Sequence, residues 1–237
     1  MKILVTCMQC AMENIHNIPR VHVDVRDDSV YEFVCSKGHK VVVTVQEQRF
    51  EILFDIGANA IVDGYYREAV SSFASSLERF YEFYIRAALA QNAITEAVSD
   101  SSWRLVKKQS ERQLGAFIFL YTLLNLRSPT VLSETKTAFR NSVIHEGKIP
   151  TRDEAVEFGQ AVLDIVRPLL LEAKQNFPKG VEAVVLAHIR KASEDLPLNR
   201  AGMTIPTIIK LNAGDASYHD TPLAAHIKRI ELSRSKR

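Results

Sequence analysis

"YYREAVSSFASSLERFYEFYIRAALAQ", residues 65–91, decides the fold class. Val70, Phe73, Leu77, Phe80, Tyr81 and Tyr84 recur at steps of three and four, which is one face of an α-helix and not the alternation of a strand. No Gly or Pro interrupts the run. Just before it, "RFEILFDIGANAIVDG" (residues 49–64) is apolar at Phe50, Leu53, Phe54, Ile56 and Ile61 and stops at Gly64. So tight a connection predicts two helices packed antiparallel.

Further toward the N-terminus the period changes. "VHVDV" (21–25) alternates, "SVYEFVC" (29–35) and "HKVVVTV" (39–45) are β-branched or aromatic, and "RDDS" (26–29) supplies a turn, so the stretch before residue 48 reads as β. In the other direction, "SSWRLVKKQSERQLGAFIFLYTLLN" (101–125) reads as one long helix and Ser133 to Glu146 as another. Thr151 followed by Glu154 is a capping box opening a helix over 151–173, with a kink expected at Pro168. "GVEAVVLAHIRKA" (180–192) reads as a further short helix. "GMTIPTIIKLNAG" (202–214) has room for a short strand, and "AAHIKRIELSRSKR" (224–237) reads as a basic, frayed end.

With 46% hydrophobic and 24% charged residues, the chain has the make-up of a globular protein able to bury a core. A net charge of +2 does not by itself announce a nucleic-acid partner. No apolar run approaches the length of a membrane span. The start, "MKILVTCMQC", is too soon polar for a secretory signal, so a cytoplasmic location and no membrane partner are expected. Neither a phosphate-binding Gly loop, an H-E-x-x-H nor a G-x-S-x-G is present.

Three cysteines, all near the N-terminus, point to a metal or free thiols and away from a disulfide framework. Cys7 and Cys10 form C-x2-C, and Cys35 and His39 form C-x3-H with Gly38 allowing a sharp turn. Two such knuckles brought together by a hairpin give the four N/S ligands of a closed tetrahedral zinc site, structural and with no position open for catalysis. A β module this small has little core of its own, so a metal would stabilise it. His16 and His22 are competing candidates for the fourth ligand.

"FRNSVIHEG" (139–147) ends a helix with an arginine, an asparagine and a histidine before Gly147 and Pro150. Asn141 and His145, four apart, share a face, whereas Arg140 reaches that side only through its long side chain. A histidine able to exchange protons near an arginine able to fork onto phosphate oxygens suits phosphodiester chemistry.

Arg140-Asn141-x-x-x-His145, spelled "RNSVIH", resembles the R-x4-6-H motif of the HEPN superfamily, including its frequent polar residue after the arginine. "EGKIPTRDEAVEFGQAVLDIVRPLL" (146–170) is similar to the loop and final helix that follow that motif, and "SSFASSLERFYEFYIRAAL" (71–89) resembles the earlier long helix. The resemblance covers about residues 48–175. Taken with the β and metal readings above, the expected fold is mainly α: a zinc-ribbon-like β module at 1–47, a HEPN-like bundle at 48–195 as the resemblance implies, and a C-terminal extension with a basic tail at 196–237. The resemblance also implies a metal-independent endoribonuclease of toxin–antitoxin or phage-defence type, acting on RNA as a homodimer, with an antitoxin or regulatory partner. Arg140 and His145 would be the catalytic pair, Asn141 would support them, and Glu78 or Glu82 is available as an added acid. One toxin branch has a tyrosine after the histidine, and here Glu146 stands instead. Some HEPN domains only bind, so a non-catalytic RNA- or protein-binding module is the alternative.

Overall fold

A computed structural model describes residues 1–13, 16, 18–194, 201–211 and 220–235. The described residues form nine helices and five short strands, so the chain is mainly helical with a small N-terminal β module. It divides into two compact units: residues 1–48 with 185–206, and 49–184 with 207–237.

In the first unit, β1 (Lys2–Thr6) pairs antiparallel with β2 (Arg20–Asp24), and the short helix α1 (Met8–Met12) leaves the end of β1. β3 (Val30–Val34) and β4 (Lys40–Val45) form a hairpin. β5 (Ala201–Met203) joins β4 in parallel, aligning Val43 with Ala201 and Val45 with Met203. The short strand expected in 202–214 is therefore real but starts at Ala201, and positions 212–214 lie outside the described residues. The described parts of 196–237 divide between the two units. Residues 196–200, 212–219 and 236–237 of that extension lie outside the described residues.

The second unit is a helical bundle. α2 (Arg49–Val62) and α3 (Tyr66–Gln91) run antiparallel: Phe54 meets Phe73 at 4.8 Å between ring centroids, while Phe50 meets Phe80 at 5.4 Å. Between them Gly64 takes a φ of +80°, a conformation open to Gly at no steric cost. Phe73 is clamped between Gly57 of α2 and Gly159; a Cβ at either glycine would stand 2.6 Å from its ring. The aromatic stripe of α3 is core: Phe73, Phe80, Tyr81 and Tyr84 are all buried. Each such ring contributes about 1.5–3 kcal/mol of burial.

The segment 101–125 is not one helix. α4 (Glu96–Val106), capped by Thr95, ends at Lys107, and α5 (Ser110–Asn125) starts after Gln109 adopts an extended conformation. The break is tertiary in origin. Buried Gln113 donates to the Lys107 carbonyl at 2.8 Å and accepts from Arg79 of α3 at 2.8 Å. Trp103 is held beneath Arg79 and Arg86, whose guanidinium carbons lie 5.8 and 5.9 Å from its ring centroid.

α6 (Glu134–Ile144) is capped by Ser133. α7 (Arg152–Asn176) opens with the expected capping box, in which Glu154 accepts from the Thr151 amide at 2.8 Å while Thr151 Oγ1 accepts from the Glu154 amide at 3.2 Å. α7 runs unbroken through Pro168, which faces solvent, so the Asp164 carbonyl that loses its helical donor is left on the exposed side. α8 (Pro178–Ser193) is longer than the stretch read from 180–192. The basic end is not frayed over its described length: α9 (Leu223–Ser235) buries Leu223, His226 and Ile227 on one face. Arg152 of α7 holds Glu231 of α9 at 2.9 Å, and Arg234 pairs with Asp63. No described helix is long and apolar enough to cross a membrane.

Candidate functional site

Two clusters carry chemistry, one in each unit. In the first, Cys7 follows β1 and caps α1, its sulfur accepting from the Cys10 amide at 3.4 Å. The β3–β4 turn supplies the other knuckle: Gly38, at φ +85°, donates to the Cys35 carbonyl, and the Lys37 amide donates to the Cys35 sulfur at 3.3 Å. The ligand atoms of Cys7, Cys10, Cys35 and His39 lie within 4.8 Å of one another, and all three cysteines are buried. His16 and His22 are exposed and stand outside the cluster, His22 facing outward from β2 opposite Leu4.

The donor set fits a tetrahedral ion. Metal–sulfur bonds of about 2.3 Å place two sulfurs about 3.8 Å apart; Cys10 Sγ and Cys35 Sγ are 3.8 Å apart. Cys10 Sγ and Cys7 Sγ lie 3.2 and 3.7 Å from His39 Nδ1. The cluster pushes two of its thiols, Cys10 and Cys35, in opposite directions. Burial, then hydrogen bonds and charge from Cys7 and Cys35, push the Cys10 thiol up to about 12. Burial also raises Cys35, but amides of Lys37 and His39 and its thiol neighbours outweigh it and lower that group overall. A divalent cation relieves this conflict, since a coordinating thiol is deprotonated outright. The sequence reading missed what lies behind His39. Its other nitrogen, Nε2, is 3.6 Å from Glu13, whose second carboxylate oxygen accepts from Gln9 at 3.2 Å. Gln9 and Glu13 are four apart around α1, and that spacing was the available signal.

The second cluster lies on α6 and its exit. Arg140, with only 16% of its side chain exposed, donates to Glu78 of α3 and to Asn141 Oδ1, both at 2.9 Å. Of the two acids offered by α3, Glu78 is thus the one beside Arg140; Glu82 is held by Arg79 and Arg86. Asn141 ties to His145 through the backbone, its carbonyl accepting the His145 amide at 2.8 Å, while its side chain serves Arg140.

His145 is the C-cap of α6, exposed, with no side-chain hydrogen bond among the described residues. The turn that presents it is fixed. Gly147 takes φ +79°, the Lys148 amide donates to the Ser142 carbonyl at 3.0 Å, and Lys148 Nζ reaches the capping-box Glu154 at 2.7 Å. Lys148 also sits over the Phe139 ring at 4.9 Å. Below the motif, Phe139 packs on Phe158 of α7 and Val143 is fully buried. One helix end therefore carries a tethered guanidinium and an exposed imidazole above a packed base. Comparison of the chain with known protein families, with curated protein sequences and with solved structures returns no match.

Proposed function

We propose that the protein is a metal-independent endoribonuclease of HEPN type. The observation that carries this reading is the arrangement on α6: Arg140 held by Glu78 and Asn141, and His145 left exposed at the end of the same helix. Two donors of the guanidinium are engaged, and on this reading its remaining N–H groups bind phosphate oxygens. In the proposed reaction a ribose 2′-oxygen attacks the adjacent phosphorus as its proton leaves, and the bond to the 5′-oxygen breaks as that oxygen gains a proton. His145 acts in one of these proton transfers, as base or acid. Arg140 stabilises the charge that builds on the phosphorane-like transition state. The products are a 2′,3′-cyclic phosphate and a 5′-hydroxyl. Discrete fragments from total RNA incubated with purified protein and a chelator support the reading; intact RNA favours the alternative, a module that binds RNA or protein without cutting. A toxin–antitoxin or phage-defence role, with a partner that restrains the enzyme, belongs to the same proposal.

The cysteine–histidine cluster, on this reading, holds one structural zinc, which supplies cross-linking charge and takes no part in cleavage. All four ligands come from the chain, leaving no open position. Glu13 then orients His39 so that Nδ1 faces the metal, because ligating histidines commonly give their other N–H to a carboxylate. Glu13→Gln is expected to weaken zinc binding by about 10–100-fold in a chelator competition without removing the site. Unchanged affinity would show that the carboxylate is only a neighbour.

A homodimer belongs to the proposal too, because one helix end open to water is half a cleft, and two-fold pairing supplies a second Arg–His set. α5 offers Phe119 and Leu123, exposed four residues apart on one face, with the exposed C-cap Leu126 just beyond them, as an apolar patch for such a contact. Light scattering is expected to give twice the 26.7 kDa chain mass. A monomer at micromolar concentration removes this part of the reading.

A further inference from the structure

The chain's net charge is only +2, yet one turn concentrates cations. Arg104, Lys107, Lys108 and Arg112 lie within nine residues around the α4–α5 turn, with Glu111 as the one carboxylate among them. All four are exposed, and none has an ion pair among the described residues. The cations along the motif helix and its exit differ in this respect: Lys136 is paired with Glu157, Arg140 with Glu78, Lys148 with Glu154 and Arg152 with Glu231. Free, hydrated cations are the groups that exchange counterions for phosphates at little cost.

The turn and the motif helix are both held by α3, through adjacent residues. Its Lys107 carbonyl is held by Gln113, Gln113 is held by Arg79, and Arg79 is the neighbour on α3 of Glu78, which holds Arg140. We infer that the α4–α5 turn is a docking surface for the backbone of single-stranded RNA, gripping phosphates that flank the one at Arg140 and His145. This rests on the ribonuclease reading. Contacts of this kind hold the strand without reading its sequence. Leu105, exposed beside Arg104, gives the patch one apolar residue, which is also a feature of surfaces that lie on lipid. The connection to the motif helix favours RNA.

The test uses the full chain and a fluorescein-labelled 2′-O-methyl oligouridylate, which lacks the attacking hydroxyl and survives incubation. Anisotropy is followed against salt for wild type, for the triple variant Lys107→Gln, Lys108→Gln and Arg112→Gln, and for Arg67→Gln as a control. Arg67 is an exposed cation without an ion pair among the described residues, about 16 Å along α3 from Glu78. The triple variant is expected to bind about tenfold more weakly at low salt. Its slope of log affinity against log salt is expected to fall by about 2, at about 0.7 per phosphate contact on a single strand. Arg67→Gln is expected to match wild type.

Wild-type binding by the triple variant, an equal loss in Arg67→Gln, or no binding of the probe at all overturns the inference. So does a triple variant that keeps RNA but loses vesicles of phosphatidylserine and phosphatidylcholine, which assigns the patch to a membrane surface. Binding that depends on the turn without any RNA cleavage by wild type leaves the inference standing and counts against the His145 chemistry alone. Cleavage with binding indifferent to the turn does the reverse.

Discussion

His145→Ala is expected to lower RNA cleavage by about 10²–10⁴-fold while the protein stays folded, the range typical for loss of one general acid or base. The fold should survive because the imidazole is exposed and the α6 cap is made by the His145 backbone, which alanine keeps. Arg140→Ala is expected to cost about 10²–10³-fold, as does loss of a group aimed at transition-state charge. This second variant also leaves Glu78 without its partner in a partly buried position, so it needs a companion. Arg140→Lys keeps a cation for Glu78 but loses the planar fork, and is expected to stay folded and slow. Ser142→Ala is the control: its hydroxyl donates to the Phe139 carbonyl and has no part in the mechanism. Single-turnover rates on a defined RNA, with circular dichroism on each variant, check all four. Wild-type cleavage by His145→Ala would make that histidine a simple helix end and put the binding module first.

Removing the metal is expected to unfold the first unit and leave the second standing. Structural zinc contributes on the order of 10–16 kcal/mol to small domains of this kind. The described part of residues 1–48 has little else: two pairs of short antiparallel strands and a helix of five residues. Cys35→Ser is therefore expected to abolish zinc binding and expose amides throughout residues 1–48 to hydrogen exchange. Because β5 pairs with β4, the amides of Ala201–Met203 should lose protection along with them. The long helices of the second unit keep their own core, so the helical signal should fall only slightly. Elemental analysis of metal-replete wild type should give one zinc per chain. Absence of zinc, or undiminished protection in residues 1–48 after Cys35→Ser, counts against the metal. RNA cleavage by the wild type should persist in a chelator, since the phosphate chemistry is assigned to Arg140 and His145.

The parts legible in the sequence are those written in local pattern. The apolar steps from Val70 to Tyr84 gave α3, Gly64 gave the antiparallel pair, Thr151 and Glu154 gave the start of α7, and the knuckle spacings gave the four clustered ligands. Long-range contacts were not legible. The break between α4 and α5 contains neither Gly nor Pro; it exists because Gln113 caps Lys107 from the next helix while held by Arg79. β5 is three residues long and finds β4 across most of the chain, so its pattern alone said little. α9 looked frayed because its apolar face is narrow, with Leu223, His226 and Ile227 as its buried positions. Glu78 and Glu82 lie four apart on α3, and the docking of α6 selects Glu78 for Arg140. Glu13 stayed hidden because a carboxylate behind a histidine shows only once the ring has a place to point.

The central claim is that this chain cuts RNA through the ribose 2′-hydroxyl, using Arg140 and His145 and no metal. The most direct measurement maps one cleavage site, then compares that RNA with a copy carrying a single 2′-deoxy sugar on the 5′ side of the cut, both in the presence of chelator. The account predicts that wild-type protein cleaves the first RNA to a 2′,3′-cyclic phosphate and a 5′-hydroxyl, and leaves the deoxy copy intact at that site. Cleavage of the deoxy copy at the same place, 5′-phosphate ends, or activity that disappears with chelator would contradict it.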